Sequence, residues 1–234
     1  LVTNDQTVET YNSDGALVSL RGRQGWLQTL VYSDGTTGIN GGYVLSADGT
    51  PTTSALPKGL LTRVTDDTGR SLHFGYNAIQ RIVLMNDPAG AEYHYAYDAT
   101  GNLMSVRYPD TGTRTYLYNE QEHTAGAYLP SALTGIVDES GNRFATYAYN
   151  ADGFAVLSEH AGGAGRIALE YSTDSNGAVT ASTVTDALGT RRHYTFTGIA
   201  GAVRNTGITQ PCGEACSTTA QVSYDANANP ASRI

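Results

Sequence analysis

The chain has 234 residues, of which 40% are hydrophobic and only 15% charged, with a formal net charge of −8. That length and apolar share suffice for a core, while 14 Lys and Arg without a basic run disfavour nucleic acid and anionic membrane surfaces as partners. No run of 18 apolar residues is present, so no transmembrane helix or membrane insertion is expected, and Leu1-Val2-Thr3-Asn4 lacks the basic start and apolar core of a signal peptide.

Along the chain one phrase returns. Tyr11-Asn12-Ser13-Asp14-Gly15-Ala16-Leu17 opens it, and Tyr97-Asp98-Ala99-Thr100-Gly101-Asn102-Leu103-Met104-Ser105-Val106 is its fullest copy. Looser copies start at Tyr76, Tyr149 and Tyr224. Tyr76, Tyr97 and Tyr118 stand 21 residues apart, and Tyr149 and Tyr171 stand 22 apart. The interval from Tyr118 to Tyr149 is 31 and holds an insertion. Such periodicity marks a repeat architecture.

Each unit carries a second mark, Asp-x-x-Gly, at Asp66–Gly69, Asp87–Gly90, Asp138–Gly141 and Asp186–Gly189. Asp can bond the backbone two residues on, and Gly101 or Gly141 accepts the positive φ that such a turn needs. Alternating runs follow these marks: Tyr93-His94-Tyr95-Ala96-Tyr97, then Tyr116-Leu117-Tyr118, then Tyr147-Ala148-Tyr149. Tyr at every second position places the rings on one strand face. The expected fold is all-β, with almost no helix: repeated antiparallel hairpins side by side in one long twisted sheet. Leu103 and Val106 have opposite parity, which a bulge would reconcile.

Repeat quality suggests degenerate N-terminal repeats over residues 1–60 and core repeats over 61–197. Residues 198–234 read as an irregular loop with a Cys pair and the start of a further repeat. Cys212 and Cys216 lack a third and fourth ligand for a structural zinc site. A short disulfide loop is preferred to free thiols or a redox role.

Other chemistry is poorly supported. Asp87-Pro88-Ala89-Gly90 reads as a plain turn. His73, His94, His123, His160 and His193 show no zinc spacing. Glu120, Glu122 and His123 read as a solvated polar loop rather than a metal or acid–base site, and Gly162–Gly165 as a hairpin loop. Ser-based hydrolysis has no Gly-x-Ser-x-Gly anchor, and no loop has the carboxylate density of a calcium site. No catalytic residue, cofactor or metal is expected.

Tyr-Asp-x-x-Gly-x-Leu-x-x-Val followed by Asp-Gly turns and Tyr-x-Tyr, clearest over Tyr97–Tyr118, resembles the RHS/YD-repeat family. The resemblance implies a bacterial RHS repeat protein, secreted or at the cell surface, in which the repeats form the wall of a shell around a toxin or effector domain. It also implies flanking repeats and a cargo domain of the same polypeptide as partners. The chain begins without Met and stops inside a repeat phrase, so it reads as a piece of such a protein. The alternative is an adhesin-like module that binds glycan or a partner protein through exposed tyrosines.

Overall fold

A computed structural model of the chain describes residues 1–38, 41–213 and 216–234, with the backbone alone at 212, 213 and 216. Among the described residues there is no α-helix. The described residues form twenty strands, paired antiparallel, two of them as a separate hairpin. Two compact units, residues 1–115 and 116–234, are described in turn.

The first unit holds β1 (Val8–Tyr11), β2 (Leu17–Arg21), β3 (Leu27–Tyr32), β4 (Tyr43–Leu45), β5 (Pro51–Ala55), β6 (Leu61–Asp66), β7 (Ser71–Tyr76), β8 (Ile82–Asn86), β9 (Glu92–Tyr97) and β10 (Leu103–Arg107). The opening residues of β11 (Thr113–Tyr118) pair with β10. Each strand pairs with the next in sequence, except that β3 pairs directly with β6. The poorly repeating stretch 33–60 is therefore an insertion between two ordinary strands. Tyr32 opposes Leu61 just as Tyr97 opposes Leu103. Ser33, 2% exposed, closes the base of the insertion. Its main chain exchanges hydrogen bonds with Leu60 and Gly59, and its hydroxyl accepts from Leu60 N–H at 2.9 Å.

The inserted hairpin β4–β5 supplies much of what is buried. Val44 and Leu56 pack with Tyr76, and Leu60, Phe74 and Ile82 lie against them. Leu45 sits over Gly75 so closely that a Cβ there would collide with its methyl group. A strand-interior glycine of this kind marks the approach of another segment.

The parity conflict resolves through a bulge. Leu103 opposes Tyr97, Ser105 opposes Ala96 and Val106 opposes Tyr95. Tyr95 and Tyr97 share a face, so Leu103 and Val106 share it too, with Met104 as the extra residue. The same shift follows Tyr11, Tyr32 and Tyr76. The Leu-x-x-Val spacing is thus a bulged strand written in sequence.

The second unit runs from the end of β11 through β12 (Leu133–Val137), β13 (Arg143–Tyr149), β14 (Ala155–His160), β15 (Ile167–Thr173), β16 (Val179–Thr185), β17 (Arg191–Ile199), β18 (Ala202–Gly213), β19 (Cys216–Tyr224) and β20 (Pro230–Arg233). From β12 onward each strand pairs with its successor. Short 3-10 turns occur at Gln121–His123 and Ala161–Gly163.

Residues 198–234 correct the expectation of an irregular loop. They form the 12-residue β18, the 9-residue β19 and β20. Thr, Val and Ile carry the strand propensity there. The β17–β18 turn is the two-residue Ala200-Gly201, with φ of 50° and 78°. It pairs Ile199 directly with Ala202. That primed turn needs no Tyr-Asp signature, so the stretch up to Tyr224 holds strands without the mark, which returns at Tyr224-Asp225 as the start of a further repeat.

Candidate functional site

The repeating unit is itself the site, and its first part is the turn. Asp98 N–H donates to Asn102 O and Gly101 N–H to Asp98 O, both at 3.0 Å. Asp98 Oδ1 accepts from Thr100 N–H at 2.9 Å, Asn102 N–H at 2.8 Å and the Thr100 hydroxyl at 2.7 Å. Gly101 has φ of 88°. This is a type I turn closed by a left-handed residue. The Thr100 hydroxyl, followed by the Asn102 and Thr100 donors, lowers the Asp98 pKa to about 2 against the partial opposition of desolvation.

Asp66, Asp87, Asp138, Asp186 and Asp225 cap the same two amides, at positions two and four residues on. Asn12, Asn77 and Asn150 do so without charge. What the turn requires is therefore an oxygen on a short side chain. Asp87-Pro88-Ala89-Gly90 is one of these turns, with Oδ1 occupied by the Ala89 and Ala91 amides. Gly141 holds the left-handed position of the Asp138 turn, at φ of 81°.

The second part is the tyrosine that opens each repeat. Tyr97 donates its hydroxyl to Ile82 O at 2.8 Å. Tyr76 donates to Leu61 O at 2.7 Å, Tyr32 to Leu17 O at 2.9 Å and Tyr149 to Leu133 O at 3.1 Å. Tyr171 reaches Ala155 O and Tyr224 reaches Asn205 O, each at 2.8 Å. In the first five the acceptor opens the strand after the previous repeat's turn. Each tyrosine therefore ties its own repeat to the one before it. Burial raises the pKa of Tyr76, Tyr97, Tyr149 and Tyr171.

Tyr116 and Tyr147, two residues earlier in their strands, share the tyrosine face, but neither hydroxyl makes a hydrogen bond among the described residues. The rings add smaller contacts. Arg81 lies 5.2 Å from the Tyr97 centroid, Tyr93 meets Tyr108 edge-on at 6.0 Å, and Phe154 meets Tyr171 at 5.3 Å.

The insertion between Tyr118 and Leu133 is more ordered than a solvated loop. Glu120 accepts two hydrogen bonds from Arg143, at 3.0 and 2.8 Å, and one from the fully buried Thr134 hydroxyl at 2.7 Å. Arg143 also donates to Thr134 O at 2.9 Å. The Arg143 bond is the largest cause holding the Glu120 pKa below the usual carboxylate range. A Cβ on Gly135 would lie 2.7 Å from the Arg143 guanidinium carbon, so the glycine gives Arg143 its place. Sequence reading missed this clamp; a bare glycine within a strand was its one signal.

Glu120, Glu122 and His123 do bring ligand atoms within 4.8 Å of one another, but Glu120 is already engaged by Arg143. The side chains of Cys212 and Cys216 lie outside the described residues. No helix among the described residues is long and apolar enough to cross a membrane.

The RHS Repeat family matches residues 57–92 and 76–115. No curated protein matches the chain. Among solved structures, the TcdB2–TccC3 complex with Cdc42 is 12% identical, with a TM-score of 0.46, and the match covers 98% of this chain. The TcdB2–TccC3–TEV structure is 14% identical, with a TM-score of 0.47 and 95% of this chain covered. A mutant Photorhabdus luminescens Tc holotoxin pore is 12% identical, with a TM-score of 0.47 and 99% covered. The chain spans 13%, 16% and 13% of those chains respectively. The matched residues 57–115 contain the turn, bulge and tyrosine pattern in its most regular form, and over that stretch the chain is similar to the RHS Repeat family.

Proposed function

We propose that this chain is a wall segment of a shell in a larger secreted or surface polypeptide, where it encloses or presents another domain. The observation that carries the reading is the tyrosine tie. Each repeat is hydrogen-bonded to its neighbour through backbone ladders and again through a phenol, which makes a stiff sheet from short strands. The residues that recur are all spent on architecture: the Asp on turn amides, the Gly on a left-handed φ, the Tyr on a carbonyl. The partners in this reading are flanking repeats and a cargo domain. The tyrosine hydroxyls that a glycan would use are occupied in six strands, which favours the architectural reading over the adhesin alternative.

The test is protease protection in the parent polypeptide. The adjoining domain should resist digestion while the repeats are intact. It should become cleavable when the six tying tyrosines are replaced by Phe. Equal digestion of that domain in both forms would refute enclosure.

A further inference from the structure

One cavity of about 390 Å3 lies within the first unit, between the tip of the β4–β5 hairpin and the polar face of the sheet. Its floor is set by register. His94 opposes Arg107, Arg107 opposes Thr113, and Ala96 opposes Ser105, so these side chains share the face opposite Tyr95 and Tyr97. The tip contributes Ala47 and Asp48. Gly49 packs on the His94 ring, and a Cβ there would stand 3.5 Å from it. His94 Nε2 lies 3.1 Å from Glu92 Oε2, so that acid is already matched.

Two charges facing this cavity are not matched. Asp48 bonds only within its own turn, to Ser46 and to Thr50 N–H at 3.1 Å. The Ser46 hydroxyl is the main cause that holds its pKa at about 2, so it is an anion at neutral pH. The Arg107 side chain makes no hydrogen bond or ion pair among the described residues, and both it and Asp48 are exposed at the mouth of the cavity. An anion and a guanidinium line one space and do not meet. Ser105 and Thr113 add hydroxyls on the floor, and Ala47 and Ala96 leave room. A volume of this order is that of a small-molecule site.

We propose that this cavity binds a small zwitterion of the α-amino acid class, with its ammonium on Asp48 and its carboxylate on Arg107. The guanidinium fork suits a carboxylate, and the Ser105 and Thr113 hydroxyls complete that end. The inserted hairpin is what creates the site, since the uninterrupted repeats have no counterpart to Asp48. This activity is independent of the shell role.

The experiment is a titration of the 234-residue chain, followed by amide NMR shifts, with L-alanine, N-acetyl-L-alanine and L-alanine methyl ester. L-Alanine should give saturable shifts at Asp48, Ser105, Arg107 and Thr113, with a Kd of about 1 mM for so few atoms. The two singly charged analogues should bind at least about ten-fold more weakly, as should Arg107→Gln and Asp48→Asn. Asn keeps an oxygen for the Thr50 amide, so Asp48→Asn removes charge without removing that bond. Lys58→Gln, outside the cavity, should bind as the parent does. Absence of saturable shifts overturns the proposal, as does equal binding of all three compounds or unchanged affinity in the two cavity variants.

Discussion

Tyr97→Phe deletes one oxygen. The Ile82 carbonyl loses a donor at 2.8 Å, while the ring remains for Arg81 to lie over at 5.2 Å. A net intramolecular hydrogen bond is worth about 0.5–1.5 kcal/mol, and Tyr97 is half-buried, so the expected loss is about 1 kcal/mol. That corresponds to a fall in Tm of roughly 2–4 °C for a domain of this size. Tyr116→Phe is the control, because it removes a hydroxyl from the same face that carries no tie; its effect should lie within about 0.5 kcal/mol. The assay is urea unfolding followed by circular dichroism, read as the change in midpoint at constant slope. Replacing all six tying tyrosines should cost about 6 kcal/mol if the sites act independently, as widely spaced sites do. That is a large part of a typical domain's stability. If Tyr97→Phe and Tyr116→Phe unfold alike, or the six-fold variant loses no more than the single one, the tie does not hold the repeats together.

Stability should fall at both ends of the pH scale. Burial raises the folded pKa of Tyr76, Tyr97, Tyr149 and Tyr171, so their contribution is complete below about pH 10 and lost as pH rises through the folded values. The six-fold Phe variant should lack this alkaline limb in a pH series of urea midpoints. At the acid end, Asp66 and Asp98 have folded pKa values of about 2, so the support they give is full above about pH 4 and disappears as pH falls through those values. Gly101→Val and Gly141→Val should each lose more than the roughly 1–2 kcal/mol of a left-handed L residue, by thermal melting. Gly101 should lose more, because a Cβ there also displaces Arg81. Gln80 occupies the same turn position at φ of 62°, so Gln80→Gly should raise the melting point slightly. Arg143→Lys should cost about 1–3 kcal/mol, because an ammonium cannot reach both Glu120 oxygens and Thr134 O together. Faster backbone hydrogen exchange in residues 119–132 would report it.

Much of the unit was legible because its parts are local. Asp98 and Gly101 specify a turn through atoms four residues apart, and Tyr-x-Tyr alternation follows from the two-residue period of a strand. The Leu103-x-x-Val106 spacing already contained the bulge, since opposite parity on one face needs an extra residue. Local chemistry also misled at 198–223, where β-branched strands joined by Ala200-Gly201 carry no repeat mark and resemble a loop.

The partner of each tyrosine hydroxyl was not legible. Tyr97 finds Ile82 fifteen residues back, across a neighbouring strand, and spacing alone does not say whether a phenol faces solvent, a ring or a carbonyl. The insertions show the same division. Repeat spacing marked residues 1–60 and the Tyr118–Tyr149 interval as departures from the period, but only the folded chain laid Leu45 over Gly75 and drew Arg143 to Glu120. Hydrogen bonds within a turn are set by covalent reach, so the order of residues determines them. Contacts between an insertion and a sheet face depend on how the intervening chain folds back, and tertiary packing decides those.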